Sequence, residues 1–239
     1  MNIVGIVQAR MGSTRLPGKV LRCIGEKTML ARVMRRVQQV SLLDQVIVAT
    51  TVNPADDAIV AECERLGVPV FRGDEQDVLD RYYHAARTYG AEVIVRITSD
   101  CPLIDPGIAD LVISAFLVEL PDYANNTMTR TYPHGLDVSV MTATALDRAW
   151  READEPYQRE HVTPYIYQNP DLFRLLAVTG EADYSNHRWT VDTPYDLEFV
   201  RAVYAHMDGD AFSWRDVLGM LAREPELMEL SSRAWQKHA

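Results

Sequence analysis

Ile3-Val4-Gly5-Ile6-Val7-Gln8-Ala9-Arg10-Met11-Gly12-Ser13-Thr14-Arg15-Leu16-Pro17-Gly18-Lys19-Val20-Leu21 is the stretch on which the fold of this 239-residue chain turns. Its first five residues are an apolar run, which predicts a buried first strand. Behind the run come two glycines, two hydroxyls, a proline and three cations, Arg10, Arg15 and Lys19. Gly12 and Gly18 permit positive φ, so successive N–H groups can point into one concavity. The three cations add fixed positive charge around that hollow. No Asp or Glu occurs in Met1–Gly25, in a chain whose formal net charge is -10. Open α/β sheets bind ligands outside the carboxyl ends of their strands, which is where this loop falls. It predicts a polyphosphate cradle, the alternative being a surface loop that is merely basic.

Two familiar phosphate motifs are excluded. The ATPase P-loop needs four residues between its glycines and then Gly-Lys-Ser/Thr. Here five residues separate Gly12 from Gly18, and Val20 stands where the Mg²⁺-binding hydroxyl belongs. The dinucleotide fingerprint Gly-x-Gly-x-x-Gly is absent as well.

Outward from the first strand the chain alternates strand and helix signals. Met29, Leu30, Val33, Met34, Val37 and Val40 recur at helical spacing, and Gln45–Thr50 reads as a buried strand. Asn53-Pro54 with Asp56 and Asp57 mark a helix start, and Gly67 its stop. Residues 68–72 predict a strand, 77–89 a helix and 92–98 another strand. This rhythm predicts a mostly parallel sheet with right-handed crossovers. Beyond residue 119 it loosens into short strands at 122–126, 137–141, 172–179 and 188–191, and helices at 156–168, 194–207 and 214–223. No repeat or Pro/Gly/Ser-rich linker divides the chain, so one domain is expected over residues 1–239, with a looser segment at about 121–187.

Composition narrows the function classes. At 47% hydrophobic the chain can bury a sizeable α/β core. A pI near 5.1 argues against a general nucleic-acid binder, and the local positive charge suits a small anionic ligand. Cys23, Cys63 and Cys101 contain no Cys-x-x-Cys pair, so neither a disulfide framework nor a zinc site is expected. With no apolar run near the length of a membrane span and no signal-like start, no membrane partner is expected and the cytoplasm is the expected compartment.

Two further motifs carry carboxylates that helix capping leaves unexplained. In Arg96-Ile97-Thr98-Ser99-Asp100-Cys101-Pro102-Leu103-Ile104-Asp105-Pro106, Asp105 reads as the N-cap of a following helix, where Asn should serve equally well. Asp100 ends a strand and has no helix of its own, so beside a triphosphate it is placed to hold Mg²⁺ through oxygen. In Arg188-Trp189-Thr190-Val191-Asp192-Thr193-Pro194-Tyr195-Asp196, Thr193 can cap, Pro194 suits the first helical position and Asp196 favours the helix N-terminus. Asp196→Asn should then cost only a few tenths of a kcal/mol. Asp192 is left over as a partner for Asp100 on one metal. Two unpaired carboxylates at one site repel each other, so replacing either is expected to spare stability.

These motifs resemble the nucleotide-binding signature of sugar nucleotidylyltransferases. Most of those carry Gly-Gly before Gly-x-Arg; the Gln8-Ala9-Arg10 start and the Ser13–Lys19 run are instead similar to the cytidylyltransferases that activate acidic sugars as CMP derivatives. The likeness extends to the 3-deoxy-manno-octulosonate and acylneuraminate enzymes and is greatest for the branch of spore coat polysaccharide biosynthesis protein F. Val191-Asp192-Thr193-Pro194 looks like their closing motif. The resemblance implies a Rossmann-like, three-layer nucleotide-diphospho-sugar transferase (GT-A type) fold, and Mg²⁺ held by Asp100 and Asp192. For the nucleotide it implies Ala9, Arg10, Gly12, Ser13, Arg15 and Lys19, with Arg72, Asp77 and Arg81 around the cytidine. Tyr132–Asp137 and Arg159–Pro164 look like signatures of the spore-coat branch, which points His134, Asp137, Arg159, Glu160 and His161 at the sugar. It also implies a homodimer, paired through roughly residues 121–167.

The reaction these parts support is nucleotidyl transfer, with Arg10, Lys19, Asp100 and Asp192 as the catalytic set. A sugar hydroxyl would attack the α-phosphorus of CTP in line and pyrophosphate would leave, chiefly by alignment and charge neutralisation. No residue stands out as a base. Two other classes compete. A metal-dependent glycosyltransferase of the same general fold would use a nucleotide-sugar donor and an Asp-x-Asp pair, which Asp100-Cys101-Pro102 lacks. A non-catalytic nucleotide-binding protein would have no use for two spare aspartates.

Overall fold

The structure, a computed structural model, describes residues 1–227 and 230. Seven strands build the main sheet: β1 (Ile3–Gln8), β2 (Gln45–Thr51), β3 (Val70–Gly73), β4 (Val93–Thr98), β5 (Tyr123–Asn125), β6 (Ser139–Thr142) and β7 (Leu175–Ala177). Their order is β3-β2-β1-β4-β6-β5-β7. Neighbours from β3 to β4 run parallel, β6 is antiparallel to β4 and β5, and β5 and β7 are again parallel. The mostly parallel sheet is as expected, and β6 is the one strand of it that runs against the rest.

Nine helices accompany it among the described residues: α1 (Met29–Val37), α2 (Asp57–Leu66), α3 (Val78–Thr88), α4 (Pro106–Glu119), α5 (Ala143–Glu152), α6 (Pro156–His161), α7 (Pro164–Tyr167), α8 (Pro194–His206) and α9 (Trp214–Arg223). Strand alternation divides the core between the sheet's faces. Ile3 and Val7 of β1 pack with α1, α4, α8 and α9, while Val4 and Ile6 pack with α3, α5 and α7. The result is three layers. No described helix is long and apolar enough to cross a membrane.

Several sequence expectations change. Residues 156–168 form two short helices, because Pro164 supplies no N–H and starts α7 afresh. Between them Val162 takes a φ of 72° and is fully buried, a strained conformation for a β-branched residue held by its packing. Residues 188–191 are not a strand; an isolated bridge joins His134 and Arg188. Helix α5, which the sequence signals leave unassigned, is capped by Thr142 accepting the Ala145 N–H at 3.0 Å and buries Ala145, Leu146 and Ala149. A small hairpin, Cys23–Ile24 against Lys27–Thr28, is also unanticipated.

Asp105 does more than cap. One oxygen accepts the Ile108 N–H at 3.0 Å and the other accepts the Trp214 N–H at 2.8 Å, which ties α9 to the start of α4. Asn offers one acceptor in place of two, so it is not the equal of Asp here. Asp196 is likewise buried and accepts the N–H groups of Asp192 at 2.9 Å and Thr193 at 2.7 Å. It fixes the backbone of Asp192, and the few tenths expected from a helix dipole understate its part.

Candidate active site

The loop after β1 is shaped by backbone bonds that its own sequence makes possible. Met11 O accepts the N–H of Ser13 at 2.8 Å and that of Gly18 at 3.2 Å, which folds residues 11–18 back on themselves. Gly18 sits at φ 65°, the left-handed region that glycine enters without penalty, and opens the 3₁₀ turn Lys19–Leu21. Gly12 is outside that region, against expectation. The loop is anchored from outside by buried Asp56, which accepts the Met11 N–H at 2.7 Å and the Thr51 N–H at 3.3 Å. A carboxylate suits the position because it accepts at both oxygens.

Beside this loop lies a cavity of about 390 Å³, the size of a small-ligand pocket. It brings together residues far apart in sequence: Ala9, Arg10, Gly12, Ser13, Arg15 and Lys19 from the loop, and Arg81 from α3. Asp100 follows β4, Glu160 and His161 end α6, and Asp192 precedes α8.

Lys19 is at the centre of the charged arrangement. Its Nζ donates to Asp100 Oδ2 at 2.9 Å, to Asp192 Oδ1 at 3.0 Å and to the Val191 carbonyl at 2.9 Å. Arg15 pairs with Asp192 Oδ1 at 2.9 Å, and Arg188 with Asp192 Oδ2 at 2.7 Å. Asp100 Oδ1 accepts from Thr98 Oγ1 at 2.6 Å, and its carbonyl accepts the Val191 N–H at 2.8 Å. The two aspartates are therefore adjacent, as expected, but they are not unpaired. Burial works to lower the Lys19 pKa, yet the two carboxylates outweigh it and leave it raised. Burial likewise opposes ionisation of Asp192, and Lys19, Arg188 and Arg15 together hold its carboxyl below the usual range.

Five residues named from the sequence do not line this cavity. Arg72 donates to the carbonyls of Thr51 at 2.8 Å and Asn53 at 3.1 Å and pairs with Asp57, bracing the turn after β2. Asp77 caps α3 by accepting the Asp80 N–H at 2.9 Å and receives Arg159, which also donates to the Trp150 carbonyl at 2.6 Å. Asp137 is held by Arg130 at 2.6 and 3.0 Å. The His134 backbone exchanges bonds with residues 187 and 189; its imidazole is shifted down, first by burial and then by Arg130.

The cavity also contains residues to which the sequence reading gave no site role, among them Val78 and, from within the motifs themselves, Gln8, Arg96 and Thr98. Gln8 Oε1, Arg81 Nε and Arg96 Nε are buried there with no hydrogen-bond partner in the structure. Buried polar atoms normally find partners, and all three of these belong to residues that line the cavity. The signal for Arg96 was available, since a charged residue inside an otherwise apolar strand needs a reason.

Comparison with known proteins matches this architecture. The cytidylyltransferase family model covers residues 4–213. Spore coat polysaccharide biosynthesis protein SpsF of Bacillus subtilis is 35% identical over 94% of this chain and 96% of its own length. A 3-deoxy-manno-octulosonate cytidylyltransferase of Solibacter usitatus is 34% identical over 84% of this chain and 94% of its own. The solved structure of a cytidylyltransferase from Leptospira borgpetersenii superposes with a TM-score of 0.92 at 35% identity, covering 95% of this chain and 96% of that one. The chain belongs to the cytidylyltransferase family, enzymes of the CTP-dependent nucleotidyltransferase class.

Proposed function

We propose that this member of the cytidylyltransferase family transfers CMP from CTP to a hydroxyl of an acidic or amino sugar, releasing pyrophosphate and activating the sugar for surface polysaccharide synthesis. One observation carries this: Lys19, Asp100 and Asp192 converge in the same cavity as the basic loop after β1. In the step, the acceptor oxygen bonds to the α-phosphorus as the bond to the bridging oxygen of pyrophosphate breaks, and the hydroxyl proton passes to solvent. Arg10, Arg15 and Lys19 neutralise the triphosphate and hold it in line. Gly12 presents its N–H and Ser13 its hydroxyl to the phosphates, and Ala9, whose N–H donates to the Ala49 carbonyl at 3.1 Å, lines the wall beside them. Arg81 serves the nucleoside, and Glu160 and His161 contact the sugar. Arg72 and Asp77 on the nucleoside side, and His134, Asp137 and Arg159 on the sugar side, act by bracing these walls.

Asp100 and Asp192 fit a divalent cation, because each turns one carboxylate oxygen to a common point where a cation already sits, the Lys19 ammonium. Mg²⁺ bound there would supply charge neutralisation at the α-phosphate. No cluster of three or more His, Cys, Asp or Glu that could hold a metal is present among the described residues, so an ion held by Asp100 and Asp192 would take its other oxygens from phosphate or water. A homodimer through roughly residues 121–167 and a single domain over 1–239 belong to the same proposal; light scattering at micromolar concentration returns the monomer mass if the dimer is wrong.

The direct test is thermal. Mg²⁺ with CTP should raise the melting temperature more than Mg²⁺ with ATP or GTP, since a ligand selective for the folded state stabilises it. Equal shifts with all nucleotides would remove the cytidine assignment and leave the phosphate cradle. The competing glycosyltransferase class predicts no pyrophosphate release from CTP and acceptor sugar, and that assay separates the two.

A further inference from the structure

We infer that Lys19 and a divalent cation are alternative occupants of one point, so that metal binds tightly only when nucleotide phosphate has drawn Lys19 away. The inference rests on the nucleotidyl-transfer reading above and goes beyond it, because it assigns Lys19 a function before any substrate is in place.

The anchoring of the two carboxylates is what makes the point an exchange site. Asp100 has Oδ1 engaged by Thr98 Oγ1 and Oδ2 turned to Lys19. Asp192 has Oδ2 engaged by Arg188 and Oδ1 turned to Lys19 and Arg15. Each carboxylate thus has one oxygen tied to a fixed partner and the other facing the ammonium. Replacing the cation at the common point leaves the outer ties in place. The Val191 carbonyl, the third acceptor of Lys19, belongs to the residue before Asp192, so the whole nook is built around a positive charge.

Coexistence is excluded by charge and by donor count. The ammonium has three N–H donors, and the structure uses all three on this nook, leaving none for a phosphate. A monovalent and a divalent cation at neighbouring points of one small nook repel each other strongly. The lysine can leave, because its charge rides on a flexible four-carbon stem, and a nucleotide phosphate bound in the hollow lined by Ser13, Thr14 and Arg15 would offer it oxygens nearby. Arg15, half exposed, releases Asp192 Oδ1 by the same attraction. Metal and nucleotide then raise one another's affinity by the same factor, as linkage requires.

The experiment is a nucleotide-free Mn²⁺ titration, read by the electron paramagnetic resonance signal of the free ion, on the wild type, Lys19→Met, Lys19→Arg and Lys19→Met/Asp192→Asn. Lys19→Met should bind Mn²⁺ at least about tenfold tighter than the wild type, because a neighbouring like charge has been removed. Lys19→Arg keeps the charge and should stay weak, and the double variant should lose the gain. The inference is overturned if Lys19→Met binds no tighter than the wild type, or if its gain survives Asp192→Asn. Should Lys19→Met not fold, the wild type decides. A one-to-one nucleotide-free Mn²⁺ complex that is abolished in Asp192→Asn overturns the exchange, and only weak binding that Asp192→Asn leaves unchanged supports it. None of these readings depends on CTP, so a failed cytidine assignment and a failed exchange remain distinguishable.

Discussion

Asp100→Asn and Asp192→Asn should each lower turnover by at least about 100-fold, on the order of 3 kcal/mol of transition-state stabilisation. Each keeps the side-chain shape and removes a negative charge from the proposed metal point. Their effects on stability should differ, which overturns the simple expectation of carboxylate repulsion. Asp192 meets Lys19, Arg15 and Arg188 at 3.0, 2.9 and 2.7 Å, with its side chain only 17% exposed. Losing that charge leaves three cations facing one another and should cost about 1–3 kcal/mol. Asp100 meets a single cation and is 27% exposed, so its replacement should cost less. Linkage gives an independent check. A carboxyl held below its ordinary value contributes stability above the unfolded pKa, about 3.9, and loses it as pH falls through the folded value. Acid unfolding should therefore begin at higher pH in the wild type than in Asp192→Asn once their neutral-pH stabilities are normalised. Pyrophosphate release and denaturant unfolding of both variants check the pair of expectations. A fully active variant would mean that the metal point is misplaced.

Gly135→Ala should be the most damaging methyl group in the molecule. A Cβ on Gly135 would lie 2.9 Å from the Trp189 carbonyl carbon and 3.0 Å from the Thr190 nitrogen, both backbone atoms that no rotamer change can move. The residue also holds φ 103°, where an L side chain is strained. Strain and overlap together should cost at least about 2 kcal/mol, a fall in melting temperature of roughly 4–8 °C for a chain of this size. The reason for so tight an approach is positional. His134 donates its N–H to the His187 carbonyl at 2.9 Å and accepts the Trp189 N–H at 2.7 Å, and the segment so held runs on to Asp192. Displacing it should weaken the Asp192 contact with Lys19 as well as the fold. Gly219→Ala, on an exposed face of α9 with nothing within 4 Å, is the matched control and should be neutral or slightly stabilising. Equal melting temperatures for Gly135→Ala and the wild type would refute the close approach.

Most of the frame was decided by local sequence. The apolar run Ile3–Val7, the alternation that follows it and the caps at Asn53 and Thr193 specify strands and helices through backbone and side-chain preferences that act within a few residues. The cradle was legible for the same reason: Gly18 and the cations around it lie in one short stretch. The break at Pro164 rests on a local fact, a missing N–H, yet the helix expected over 156–168 ran through it. Tertiary structure alone decided what sits opposite what. Lys19 lies 81 residues from Asp100 and 173 from Asp192, and no periodicity reports that its ammonium fills the space between them. The pairing of the aspartates follows from that contact, which is why sequence reasoning treated them as unpaired. Arg72, Asp77 and Arg159 show the converse: their side chains are consumed by carbonyls and carboxylates that only packing brings within reach. Arg96 is presented to the cavity because β4 lies beside β1 in the sheet, and strand order is set by the burial of both faces, a property of the whole chain.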